Sequence, residues 1–314
     1  MPTTDAESAL AAAVHCLRTD AMTAEVVTRL KAESIRCISL KGPGLVRWLY
    51  PDMSRTYRDS DLLVPEAEIP RAEALLEALG FVHLPLDDLP GDRPWHAHLW
   101  RLQAKNLGVD LHRTLIGCTE PPEVVWDEVT AHTETIDVQG AEVEVLNASG
   151  RALHVALHAA QDGRRLGKPI QDLERALART PEETWVEAAR LAQVVGAEES
   201  FGTGLRLLPA GQELADRMAL RKTASLEVAL RAAAAPQLAL TLEWLSHRPS
   251  IFSKIAFALR KLFPPRAFIE SWTPLARRGA FVLPLAYVWR LVWCIGRLPS
   301  ALLILQRSRR AVRS

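Results

Sequence analysis

The chain has 314 residues, of which 48 % are hydrophobic and 24 % charged. That balance excludes a disordered chain, a collagen-like repeat and a small disulfide-stapled scaffold, and the length suits about two domains. The formal net charge of +1 conceals an asymmetry: residues 271–314 hold eight arginines and no acid, leaving residues 1–270 with 30 basic and 37 acidic side chains. A mildly acidic body is followed by a cationic, apolar tail.

Four cysteines (Cys16, Cys37, Cys118, Cys294) are scattered without a Cys-x-x-Cys pair. Neither a zinc site nor a disulfide framework is expected, and the cytoplasm is the default compartment. Asp5 and Glu7 stand where a signal peptide would carry a basic stretch, so no signal peptide is expected.

Apolar spacing predicts helix from Ala9 to Leu17 and from Val26 to Leu30. A short strand, Ile35 to Leu40, follows and ends at the turn Lys41-Gly42-Pro43-Gly44. Leu45 to Tyr50 reads as a helix stopped by Pro51, and Asp61 to Val64 as a second strand. Residues 66–79 form an amphipathic helix with Gly80 as its terminating glycine. Phe81 to Leu84, His96 to Leu102 and Gly108 to His112 are further strands, with a loop over Pro85 to Pro94. Glu134–Val138 and Glu142–Leu146 flank Gln139-Gly140 and read as a hairpin. Near Ser149 the pattern becomes helical almost throughout. The expected class is therefore α+β: a mixed-sheet core over residues 1–148, a helical unit over 149–270, and a cationic helical tail over 271–314.

The strongest chemical signal is Asp59-Ser60-Asp61 leading into Leu62-Leu63-Val64. Two residues apart on a strand, both carboxylates project from one face. Their repulsion falls if a divalent cation sits between them, and hard oxygen ligands suit Mg²⁺ or Mn²⁺. Asp110, an acid inside the apolar strand Gly108 to His112, is a third candidate ligand if the strands adjoin. Taken alone, an Asp-x-Asp at a strand end is more often a turn or a surface pair. Upstream, Lys41, Gly42 and Gly44 lie where a strand turns into a helix, a place where backbone N–H groups favour phosphate.

In order, Leu40-Lys41-Gly42, Leu49-Tyr50-Pro51, Arg55 and Asp59-x-Asp61-Leu62-Leu63-Val64 resemble the signature of the uncharacterised nucleotidyltransferase family, within the DNA polymerase β-like superfamily. Gly108-Val109-Asp110-Leu111-His112 resembles a later segment of that family, with Arg113 where an aromatic is common. Leu153 to Ala159 and Ile170 to Leu173 are similar to its helical stretch. The resemblance implies a small nucleotidyltransferase core in which Asp59, Asp61 and Asp110 bind Mg²⁺ and act on an NTP. Two departures stand out: Ser60 replaces a small aliphatic residue, and Lys41-Gly42 stands where better-known members have Gly-Ser.

Arg55 and Arg58 could meet a triphosphate or serve as ion-pair partners. His96 and His98 alternate on a strand and are candidate acceptor contacts rather than metal ligands, since no third ligand is near. His154 and His158 have the i, i+4 spacing of zinc proteases but lack the glutamate that such sites need. They and Asp172 are read as the helical wall facing the acceptor. His112 shares the face of Asp110 and could orient a ligand, contact nucleotide or be a hydrogen-bonded core residue. Trp48 and Tyr50 read as core.

Arg290, Arg297, Pro284 and Pro299 interrupt the apolar tail, which reads as an amphipathic helix. It could dock on the acidic body, lie on a membrane surface or take an acidic partner. The functional expectation is NMP transfer from an NTP to an unidentified acceptor with release of pyrophosphate. A non-catalytic nucleotide-binding scaffold, or a membrane-surface accessory protein, is the alternative. The acidic body argues against extended nucleic acid as substrate.

Overall fold

Short apolar runs separated by turns assemble one seven-stranded mixed sheet in the order β3-β4-β5-β2-β1-β7-β6. The strands are β1 (Ile38–Ser39), β2 (Asp59–Leu63), β3 (Val82–Leu84), β4 (Ala97–Leu102), β5 (Leu107–His112), β6 (Thr133–Val138) and β7 (Ala141–Leu146). A computed structural model describes residues 5–52, 54–84, 96–162, 167–279 and 281–313. The loop expected over Pro85 to Pro94 lies outside the described residues. β2 runs parallel to β5 and β1 parallel to β7; the other neighbours are antiparallel.

Both faces of the sheet are covered, which is why its central strands read as nearly continuous apolar runs. On one face α1 (Asp5–Ala32) and α3 (Ile69–Ala78) pack Val26, Leu30, Ile69 and Leu76 against Leu62, Val64, Val109 and Leu111. On the other face Ile38, Leu63 and Leu146 meet α2 (Pro43–Leu49), α4 (Pro122–Thr130) and α5 (Ala148–Asp162). The same cluster continues into α6 (Gly167–Arg179), α7 (Glu182–Val194), α8 (Glu198–Leu205) and α9 (Pro209–Arg217). Among the described residues the last strand thus stops at Leu146 and only helices follow from Ala148, while one apolar core runs across the change.

Local chemistry explains the turns. Gln139 and Gly140 both adopt positive φ, 53° and 82°, the pair of left-handed residues that a two-residue hairpin needs. The first strand is shorter than expected: it covers Ile38–Ser39, and after a last bond from Leu40 N–H to the Asp61 carbonyl at 3.0 Å, Lys41 and Gly42 turn the chain away. The second begins earlier, so Asp59 and Ser60 belong to β2 itself. The sequence reading did not anticipate α4, which opens with Pro122 in its first turn, a position that tolerates proline's missing N–H.

The remaining helices are α10 (Leu226–Ala232), α11 (Gln237–Ser246), α12 (Ile251–Leu262), α13 (Arg266–Trp272) and α14 (Leu283–Arg313). Helix α14 runs through Pro299 without a break. One of its faces docks on the body: Ala301 and Leu305 pack with Leu230 and Leu240, and Arg309 pairs with Glu243 at 2.8 Å.

Candidate active site

Strand alternation gives Asp59, Asp61 and Leu63 one face of β2, and Leu63 fixes it as the face covered by α5. Ser60 and Leu62 point the other way, so the unusual Ser60 is turned from the acids. Across the parallel ladder Asp61 is the register partner of Asp110, and Leu63 that of His112. The three aspartates and His112 therefore share one face, two neighbouring strands and a span of a few residues.

Asp61 is 4 % exposed, and its Oδ1 accepts from Lys41 Nζ at 2.7 Å and lies 3.2 Å from His112 Nε2. Burial works against its charge, but Lys41 and His112 outweigh that and hold the carboxyl well below its usual range. For Lys41 the attraction of Asp61, Asp110 and Asp59 overcomes burial and raises the ammonium's pKa. Asp110 shifts the opposite way to Asp61, although Lys41 and Arg101 act against the shift. One of its buried oxygens has no hydrogen-bond partner, and burial followed by the charges of Asp61 and Asp59 pushes it up to about 7.

Among the described residues no three His, Cys, Asp or Glu side chains stand close enough to form a ready-made metal cage. The chemistry of the donor set does suit a divalent cation: Asp59, Asp61 and Asp110 lie on one sheet face, their charges all act on one ammonium, and one buried oxygen of Asp110 remains unpaired. Hard oxygen donors with excess negative charge are the set Mg²⁺ prefers.

The glycine turn does two different jobs. Gly42, at φ 60° and ψ −128°, takes a backbone conformation that other residues resist, and it enters α2 directly. Gly44 is a packing glycine, because a Cβ there would stand 2.9 Å from Val145 Cγ1. Arg55 is committed elsewhere: its guanidinium donates twice to the Asp172 carboxylate, at 2.8 and 2.9 Å, with both side chains under 10 % exposed. Tyr50 Oη adds a third bond to Asp172 at 2.6 Å, so these residues tie the turn before β2 to α6. Arg58, in contrast, is exposed beside Asp59.

The histidines separate into groups. The His96 ring lies 5.7 Å from that of His112, and burial, reinforced by His112 and Lys41, pulls its pKa down to about 3. His154 on α5 is 3 % exposed, with neither ring nitrogen partnered, and burial and then Lys41 bring it to about 3 as well. One turn on, His158 Nε2 lies 3.3 Å from Asp162. His98 is on the far side: it pairs in register with Leu111 and its Nδ1 meets Glu73 of α3 at 2.6 Å. The fold removes it from the aspartates.

A cavity of about 550 Å³ adjoins this face. It begins at His96, Thr114 and Leu115 and runs between α5, α8 and α10, with Glu198, Glu227 and Arg231 on its far wall. None of the three aspartates lines it; the link is the His96–His112–Asp61 contact. Its walls come from segments over a hundred residues apart, so no local motif announced it. Lys41 as the partner of Asp61, and Tyr50 as a partner of Asp172, were also missed, since charge and aromaticity do not reveal partners 20 and 122 residues away.

The sequence pattern described as "Uncharacterised nucleotidyltransferase" matches residues 6–210. The chain belongs to that family. The matched span takes in Lys41, the three aspartates, His112, the α5 histidines and Asp172, and it ends before α10. No curated protein matches. Among solved structures, the antibiotic-resistance factor ANT(2″)-Ia is 13 % identical with a TM-score of 0.38, covering 60 % of this chain and 94 % of its own. An antigenic nucleotidyltransferase-like protein from Paracoccidioides brasiliensis is 15 % identical with a TM-score of 0.35, covering 57 % and 92 %. Likeness this distant assigns no acceptor. Nucleotidyl transfer is thus the family's chemistry, and the acid-bearing face of β2 and β5 lies inside the region that defines it.

Proposed function

We propose that this protein moves an NMP from an NTP onto an acceptor hydroxyl held in the cavity between β5 and the helical unit. The observation that carries the reading is the register of Asp61 with Asp110, which leaves Asp110 part-buried, crowded by like charge and with one buried oxygen short of a partner.

Asp59, Asp61 and Asp110 would hold Mg²⁺ or Mn²⁺. When bound, the ion supplies charge neutralisation for the triphosphate and the developing pyrophosphate. Lys41 keeps Asp61 ionised and oriented from behind, and His112 fixes the same oxygen from the neighbouring strand. Arg58, exposed just before β2, would meet phosphate, while Gly42 would let the Lys41 turn approach it closely. Asp110 accepts the acceptor's hydroxyl proton. The acceptor oxygen then forms a bond to the α-phosphorus, the bond between that phosphorus and the α–β bridging oxygen breaks, and pyrophosphate leaves in line. His96 and the α5 helix form the wall against which the acceptor is positioned, and buried His154 stays neutral behind it.

Calorimetry with each of the four NTPs, with and without Mg²⁺, tests this on the wild type and on Asp59→Ala/Asp61→Ala. Metal-dependent binding lost in the double variant is the expected result, and it names the nucleotide. Failure of every NTP to bind would overturn the reading. Binding without incorporation of label into any acceptor would favour a nucleotide-binding scaffold.

A further inference from the structure

Beyond residue 210 the molecule changes character. Residues 247–314 contain thirteen Lys and Arg against one acid, Glu270, whereas residues 1–246 contain 25 basic and 36 acidic side chains. The same region exposes apolar surface that no described residue covers. On α14, Leu285, Val288, Val292, Ile295 and Leu302 recur at three, four and seven residues, which places them on one helix face, and each is between 41 and 69 % exposed. On α12, Ile251, Ile255 and Leu259 form a second such stripe, with Phe252 81 % exposed beside them. The two helices adjoin: Arg290 donates to the Lys261 carbonyl at 3.0 Å, and Tyr287 Oη to that of Pro264 at 2.7 Å.

The docked face of α14 is a different one. Ala301 and Leu305 are buried against Leu230 and Leu240 of the body, and Ala286 and Arg290 against the neighbouring residues Phe268, Ile269 and Trp272, so attachment to the protein leaves the apolar stripe uncovered. Isolated exposed apolar residues are normal, but stripes of them on neighbouring helices mark an interaction surface.

We propose that α12 and α14 seat this protein on an anionic lipid bilayer, with the two helices lying in the headgroup layer. Apolar stripes flanked by lysine and arginine, with Trp289 half exposed at the edge, are the composition of an interfacial anchor. Charge complementarity selects the occupant. A net charge of +12 over residues 247–314 repels a second copy of the same face and attracts anionic lipid, while the acidic remainder is repelled by it. Leu283–Arg310 is long and apolar enough to cross a membrane by length and composition. Spanning would nonetheless strip Arg290 from the Lys261 carbonyl and from the Phe268 and Trp272 rings, and Leu305 from its core, so the helix lies along the surface. This inference stands apart from the catalytic reading and survives its failure.

The test uses the full chain and sedimentation with phosphatidylcholine vesicles, with or without about 30 % phosphatidylglycerol, at about 0.1 M salt, where screening is moderate. Partition is expected to be at least about tenfold greater on the anionic vesicles and to fall at high salt. Val288→Glu/Val292→Glu/Ile295→Glu should abolish it, whereas Val186→Glu, at a 53 % exposed apolar site on α7, should not. Circular dichroism and an unchanged sedimentation coefficient check that the triple variant folds. Should it not fold, Arg307→Ala/Arg310→Ala, which alters only exposed charge, should still lower the partition several-fold. Equal binding to neutral and anionic vesicles would overturn the proposal. So would indifference to both sets of substitutions, retention through alkaline carbonate extraction (a spanning helix), or a dimer that the triple variant converts to monomer.

Discussion

The Lys41 ammonium lies 2.7 Å from Asp61 Oδ1 in a pair whose side chains are only 18 % and 5 % exposed. The cation closest to the acids is thus supplied by the turn that precedes them, not by the helical wall opposite. Removing one partner leaves an uncompensated buried charge, which typically costs ~3–5 kcal/mol. Lys41→Met is expected to lower stability by about that much, and Lys41→Met/Asp61→Asn by distinctly less. Urea unfolding of both variants measures the difference. Equal losses would mean that the pair is not coupled.

Arg55 and Asp172 give the same argument at the other side of the turn, with a bidentate geometry. Asp172→Ala should destabilise by roughly 3 kcal/mol through the orphaned guanidinium. If the arginine's role is this tie, Arg55→Met/Asp172→Leu will bind NTP within about threefold of wild type, a difference of well under 1.4 kcal/mol. A loss of affinity of about tenfold or more would return Arg55 to the triphosphate.

Gly44 is expected to tolerate no side chain while Val145 remains. A Cβ would stand 2.9 Å from Val145 Cγ1, and overpacking of this kind costs about 1–3 kcal/mol. Gly44→Ala should lower the melting temperature, and Gly44→Ala/Val145→Ala should recover much of the loss. A phosphate-binding role for Gly44 would show no such recovery, and NTP affinity would fall in both variants.

His154 sets an acid limit on stability. Its folded pKa of about 3 lies below the unfolded value of 6.5, because burial opposes the imidazolium. Above pH 6.5 neither state takes up the proton. Between pH 6.5 and 3 the unfolded chain binds a proton that the folded chain refuses, so stability falls by up to ~1.4 kcal/mol per pH unit for this one group. His96, shifted in the same direction, adds to the slope. His154→Leu should flatten the dependence measured between pH 7 and 5. An unchanged slope would show that His154 titrates freely in the folded protein.

Most of the sheet was legible because its central strands are short runs rich in apolar residues between turn residues, and the hairpin because Gln139-Gly140 separates two alternating runs. The Asp59-x-Asp61 pair could be placed on one face by alternation alone. The helix over Pro122–Thr130 escaped notice because it sits between two strand-rich stretches. The cavity escaped because its lining comes from residues 96 to 231, joined only by folding.

By itself, the sequence determined the element types, the switch from strands to helices near residue 148, the shared face of Asp59 and Asp61, and the charge contrast between body and tail. These are local properties, set by side-chain period, turn chemistry and counts of charge. Tertiary structure alone decided that Asp110 stands beside Asp61, that Lys41 and Asp172 neutralise charges far along the chain, that His98 faces away, and that the tail docks one face while leaving another bare. Each of these depends on strand register or helix packing, which bring together residues whose separation in sequence carries no signal of their contact.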